Sequence, residues 1–169
     1  MVLLAGAAVA YFYLPYQTTE ELEEAFRSAD KAELDRLIDF PALRESLKGQ
    51  LKAKIDATIA AAKAGKSGPN GQPQVPPALA AMAGPLLDQI VNSIASPEGL
   101  INLMKLEAKV KDKAPAVEIR EKTWVSTTEF TGRAEDRSIL RFHFFGGRGW
   151  RLVAIEMSEE LAKKGPLGH

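Results

Sequence analysis

Two periodicities divide this chain. Up to Met104 apolar residues recur every three or four positions, as on a helix face; from Ala116 they recur every second position, as on a strand. In the first region, Thr18-Thr19-Glu20-Glu21 has the spacing of a capping box and predicts a helix start, with Leu22, Ala25, Phe26 and Ala29 buried. Asp30 interrupts that helix, and Ala32 to Ile38 reads as a short second one. Pro41 suits the first turn of a long helix over 41–64, whose stripe Leu43, Leu47, Leu51, Ile55 and Ile59 repeats every fourth residue. Glycine and proline then predict a flexible loop at 65–77. A helix over 78–95 follows, with Leu79, Met82, Leu86, Ile90 and Ile94 on one side and Gly84-Pro85 set to kink or split it. Ser96-Pro97-Glu98 is a helix start, a capping side chain and then proline in the first turn, and opens a helix over 97–106.

Beyond Ala116, "EKTWVSTTEFT", "SILRFHFF" and "WRLVAIEM" read as three antiparallel strands, four if Val117 to Glu121 pairs. The connections fall at Arg133 to Arg137 and Gly146 to Gly149; the glycines suit a tight turn that needs positive φ. Leu140, Phe142 and Phe144 share one face of the middle strand, and Ile139, Arg141, His143 and Phe145 the other. The fold class is α+β: a hydrophobic N-terminal helix, then a helical layer packed on a C-terminal antiparallel sheet of three to four strands.

The first sixteen residues carry no charge, whereas four glutamates fall between Gln17 and Glu24. Met1 to Tyr16 is short for a hydrocarbon core that takes ~20 residues to cross. It lacks the basic start of a cleaved signal peptide. Tyr11, Phe12 and Tyr13 followed by Pro15 look like the end of a membrane span at the headgroup level. The expectation is therefore a hydrophobic segment at 1–16, a membrane anchor or its remnant whose basic residues lie upstream, followed by a single α+β domain at 17–169.

Composition narrows the chemistry. The 169 residues hold 22 basic and 22 acidic side chains, a balance that argues against a nucleic-acid binder. There is no cysteine, which removes disulfides, zinc–thiolate sites and thiol nucleophiles. With His143 and His169 the only histidines, a histidine metal site would need carboxylates to complete it, and neither metal nor cofactor is expected. Ala64-Gly65-Lys66-Ser67 ends like a phosphate-binding loop, but Ala60 stands where that loop needs its first glycine.

"YLPYQTTEELEEAFRSADKAELDRLIDFPALRESLKGQL", "SPEGL" and "GWRLVAIEM" together resemble the bacterial family called domain of unknown function 2939. The most specific phrase is Asp39 to Leu47, containing Asp-Phe-Pro-x-Leu-Arg. The resemblance implies an envelope protein with one N-terminal anchor; the placement expected here is that anchor in the inner membrane with the domain facing the periplasm. It brings no catalytic residues.

Asp39, Pro41, Ser96 and Pro97 read as structural punctuation, marking where helices begin. Arg44, Arg141, His143 and Trp150 are the candidate ligand-binding residues. Arg44 would hold an anionic group in a cleft between helix and sheet, Arg141 and His143 would line a cavity if the sheet curls, and Trp150 would stack on a ligand. No catalytic residue is assigned. The leading reading is a non-enzymatic binding domain, tethered to the membrane through its N-terminus and engaging an envelope protein or a small amphipathic ligand, with no nucleic-acid partner. The alternatives are a small-molecule hydrolase or isomerase with His143 as acid/base, and a structural protein that self-associates through the Leu43–Ile59 stripe.

Overall fold

The computed structural model describes residues 2–64, 77–111, 117–135 and 137–156. Within them the chain forms helices α1 (Val2–Ser28), α2 (Lys31–Leu37), α3 (Phe40–Ala64), α4 (Pro77–Ile94) and α5 (Pro97–Lys111). Strands β1 (Ile119–Ser126), β2 (Glu129–Ala134), β3 (Ile139–Phe144) and β4 (Trp150–Glu156) follow. The strands pair in chain order as an antiparallel meander, so the α+β class holds with the sheet at its four-strand limit. The predicted loop at 65–77 lies outside the described residues except for Pro77, which already belongs to α4.

The N-terminus differs from its sequence reading. α1 is one helix that runs through Pro15, with no new start at Thr18. The reason is local: the Thr18 hydroxyl donates to the Leu14 carbonyl at 3.1 Å and the Thr19 hydroxyl to the Tyr16 carbonyl at 2.8 Å. Both threonines bond backwards into the preceding turn instead of capping the next one. Among the described residues no helix is long and apolar enough to cross a membrane. Pro15 and the polar run Gln17 to Thr19 bound the apolar stretch on its C-terminal side.

α1 stops at Ala29, whose φ of 55° places it in the left-handed region. Ala29 N–H bonds the Phe26 carbonyl and Asp30 N–H the Ala25 carbonyl, the double bond of a Schellman ending. Asp30 then caps α2, its carboxylate accepting from Glu33 N–H at 3.1 Å.

The core lies between the helices and one face of the sheet. Leu22 and Phe26 of α1, Leu34 and Leu37 of α2, and Leu43 of α3 meet Phe130, Leu140, Phe142, Trp150 and Leu152. Full burial of each such side chain stabilises the fold by ~1.5–3 kcal/mol. Phe130 and Phe142 stack with ring centroids 4.5 Å apart, and the Trp150 ring packs edge-on to Phe130 at 5.1 Å.

α4 is continuous through Pro85 and buries Leu87, Val91 and Ala95, not the face of Leu86 and Ile90, which stays exposed. It runs antiparallel to α3: Arg44 meets Ala95, and Lys48 meets Asp88 at 2.6 Å. The stretch read as one strand, Glu121 to Thr131, folds back at Thr127-Thr128 to give β1 and β2, with Ser126 opposite Glu129. The Ser126 hydroxyl accepts from Thr128 N–H at 3.2 Å and closes the turn without glycine or proline.

Candidate functional site

The family phrase lies where three layers meet. Ile38, just after α2, forms a parallel bridge with Leu152, and Asp39 N–H donates to the Leu152 carbonyl at 2.9 Å. The Asp39 carboxylate accepts from Ala42 N–H at 3.0 Å, capping α3 while its backbone is pinned to β4. Pro41 occupies the first turn of α3 and is exposed; Phe40 and Leu43 on either side are buried. One turn further, the Arg44 guanidinium donates through Nε to the Ala95 carbonyl at 3.0 Å. That carbonyl closes α4, where a cation is favoured by the helix dipole. Arg44 therefore ties α3 to α4 at the seam.

The α4–α5 junction is built as tightly. The Ser96 hydroxyl accepts from Gly99 N–H at 3.0 Å and donates to the Ser93 carbonyl at 3.0 Å, and Pro97 begins α5. A Cβ on Gly99 would stand 2.0 Å from the Ser93 carbonyl oxygen. This glycine is there for close approach of backbone to backbone.

Arg141 and His143 are together on the sheet face turned away from the helices. Arg141 bridges three strands, bonding Glu129 at 2.9 Å and Glu156 at 2.5 Å. The Glu156 hydrogen bond, with the charge of both carboxylates, raises its pKa further above the ordinary arginine value. His143 stands in register between Glu129 and Arg151, with its ring edge-on to Phe145 at 5.0 Å. Trp150 is on the opposite face, 3% exposed, among Trp124, Phe130 and Phe144. The four candidate ligand residues thus fall in three places: Arg44 at the helical seam, Arg141 and His143 on the outer sheet face, Trp150 in the core. Among the described residues no group of three His, Asp or Glu side chains is placed to hold a metal ion.

Three features escaped the sequence reading. Gln50 reaches from α3 to donate to the Ile155 carbonyl at 2.8 Å, so α3 and Asp39 together cover the outer edge of β4. Glu23 of α1 accepts from Ile119 N–H at 2.8 Å, fixing the start of β1. The third is the pairing pattern of arginines. Arg27, Arg36, Arg120, Arg133 and Arg141 each bond a glutamate. No acidic side chain among the described residues pairs with Arg148 or Arg151, and the Arg151 Nε is buried without an acceptor. Nothing in the one-dimensional pattern separates these two arginines from the paired ones.

The helices also set a direction. Along α1, Glu23 meets Ile119 and Tyr16 receives the Lys122 ammonium 4.7 Å from its ring centroid, so α1 runs antiparallel to β1. Continued backwards, α1 leaves the sheet at the end formed by the Thr127-Thr128 turn and the Phe145–Gly149 loop. Along α3, Asp39 meets Leu152 and Gln50 meets Ile155, so α3 runs parallel to β4 and leaves by the opposite end.

In class, then, this is an α+β protein whose helices clasp one face and one edge of a four-stranded antiparallel meander. The chain belongs to the family described as protein of unknown function (DUF2939), whose sequence profile matches residues 4–103. The match takes in α1 through the middle of α5, including the Asp39–Leu47 phrase, and stops before the sheet. No curated protein and no solved structure gives a match.

Proposed function

We propose that this protein is a non-catalytic binding domain, held at the inner membrane by its N-terminal segment, facing the periplasm and engaging an envelope protein or a small amphipathic ligand. The observation that carries this reading is the unbroken helix α1. The uncharged stretch before Gln17 and the buried residues Leu22, Ala25 and Phe26 are parts of one rod, so whatever holds the first half holds the domain. The side of the segment to be exported begins with glutamates and has no Lys or Arg before Arg27, as the positive-inside rule favours.

The binding surface in this reading is the α3–α4 pair where it leaves the core. Ile55, Leu86 and Ile90 are large apolar side chains left 39%, 45% and 50% exposed. Tethering raises the effective concentration of such a surface for partners at the same membrane. The dispersal of Arg44, His143 and Trp150 over three places favours binding over the hydrolase or isomerase reading.

Two measurements test it. A C-terminal fusion to a phosphatase active only outside the cytoplasm is expected to be active, and activity of a cytoplasm-only reporter instead would overturn the placement. Native mass spectrometry of the chain extracted from its own envelope is expected to find a bound protein or small molecule that Leu86→Lys with Ile90→Lys removes. A bare chain in that spectrum would retire the binding role.

A further inference from the structure

We infer that the sheet end formed by the Phe145–Gly149 loop and Arg151 is a lipid-contacting surface, with Phe145 entering the interface and Arg148 and Arg151 receiving anionic headgroup phosphates. This deepens the tethered reading above and rests on it. Four observations converge on that end.

The first is direction. From Tyr16, which sits at the level of Lys122, α1 continues backwards for fourteen more residues to Val2. That is ~20 Å of helix at ~1.5 Å per residue. From Lys122 to the Thr127 turn is a run of five residues, ~17 Å at ~3.3 Å each. The uncharged half of α1 thus runs toward the end of the sheet where the Thr127 turn lies, over a length comparable to what remains of β1, and brings that end toward whatever surface takes up the segment.

The second is the loop itself. It presents an aromatic ring, Phe145, 37% exposed, on a 3-10 turn at Gly146–Arg148, with φ of 60° at Gly146 and 72° at Gly149. An exposed Phe ring is a side chain of the kind that enters a membrane interface. The neighbouring β1 end adds Val125, 56% exposed.

The third is charge. Among the described residues no carboxylate pairs with Arg148 or Arg151, at this end, whereas Arg27, Arg36, Arg120, Arg133 and Arg141 each have one. The nearest acid in register, Glu129, is bonded to Arg141. Arginine presents a fork of donors suited to phosphate oxygens. The fourth is contrast: at the opposite end Arg120 pairs with Glu118 and Glu135, so that turn is charge-compensated.

The absence of cysteine allows a single-label test. Gly147→Cys places a probe on the loop, where a new Cβ meets nothing within 4 Å, and Glu135→Cys places one on the exposed turn at the far end. Each full-length chain carries an environment-sensitive fluorophore and is mixed with phosphatidylethanolamine–phosphatidylglycerol vesicles containing a headgroup-nitroxide lipid. The chain is expected to float with the vesicles, with quenching several-fold stronger at position 147 than at 135. Arg148→Glu with Arg151→Glu should lower quenching at 147 without abolishing flotation. Flotation with equal quenching at both positions would overturn the oriented surface and leave the tether standing. Failure to float would overturn both readings together.

Discussion

At the scale of single residues, two glycines with the same name do opposite work. Gly99 lies in the first turn of α5, where Ser96 caps it and the Ser93 carbonyl occupies the space a side chain would need. Gly49 lies inside α3, and a Cβ there meets nothing within 4 Å. Gly99→Ala is expected to destabilise by on the order of 3 kcal/mol, because the obstructing atom is backbone and the α4–α5 junction must open to admit a methyl group. Gly49→Ala is expected to stabilise by ~0.5–1 kcal/mol through the lower entropy of the unfolded chain. Urea denaturation of the two variants reads both signs; a neutral Gly99→Ala would mean that the junction is looser than its geometry. The candidate ligand residues are instructive in the same way. Arg44 was legible as important through the family phrase, but its partner, the Ala95 carbonyl, lies 51 positions away and is a backbone atom that no side-chain pattern announces.

At the scale of elements, each error of the sequence reading has a physical cause. Thr18-x-x-Glu21 looks like a helix start because the same hydroxyl that caps a helix can bond back into one; only the preceding turn decides. α4 carries two apolar stripes, and tertiary contact with α3 and α5 selects Leu87, Val91 and Ala95 over Leu86 and Ile90. The β1–β2 turn was missed because Thr127-Thr128 contains none of the usual turn residues. By contrast the break at Asp30, the Ser96 cap, the long helix and the alternation of β3 were readable, since each depends on near neighbours. One inter-element link is titratable. Arg36 of α2 bonds Glu33 in its own helix and Glu21 of α1 at 2.6 Å. The Arg36 hydrogen bond holds the Glu33 carboxyl below the usual glutamate value, against a smaller opposing effect of burial. A carboxyl depressed in the folded state contributes stability above its unfolded pKa and loses it as pH falls through its folded pKa. Glu33→Gln should therefore cost up to ~1 kcal/mol at neutral pH, as for a surface ion pair. The difference should close below the ordinary glutamate range and shrink in high salt. A gap between wild type and variant that persists into acid would assign the effect to packing.

For the whole molecule, the sheet has one end where α1 leaves and another where α3 leaves, and only the stretch between them is covered on both sides of the core. α3 shows the consequence along its length. Leu43 is fully buried, Leu47 packs partly against the core, Leu51 is half-buried and Ile55 is exposed. From Leu51 to Ala64 the helix runs on for ~20 Å at ~1.5 Å per residue with α4 beside it. Isolated helices of this length are marginal in water, so this part depends on what it packs against. Native-state hydrogen exchange should therefore show a gradient. Amides near Leu43 and Leu47 exchange only through global unfolding, whereas those beyond Ile55 open locally at a much smaller free energy. Denaturant separates the two classes, because protection near Leu43 should fall with the full slope of unfolding while protection beyond Ile55 should hardly respond. Uniform protection along α3 would show that the outer half is as firmly held as the inner, and that its exposed stripe already has a partner. A gradient that disappears when the chain is examined in its own envelope would place that partner on the outer half of α3, at the end of the molecule remote from the uncharged half of α1.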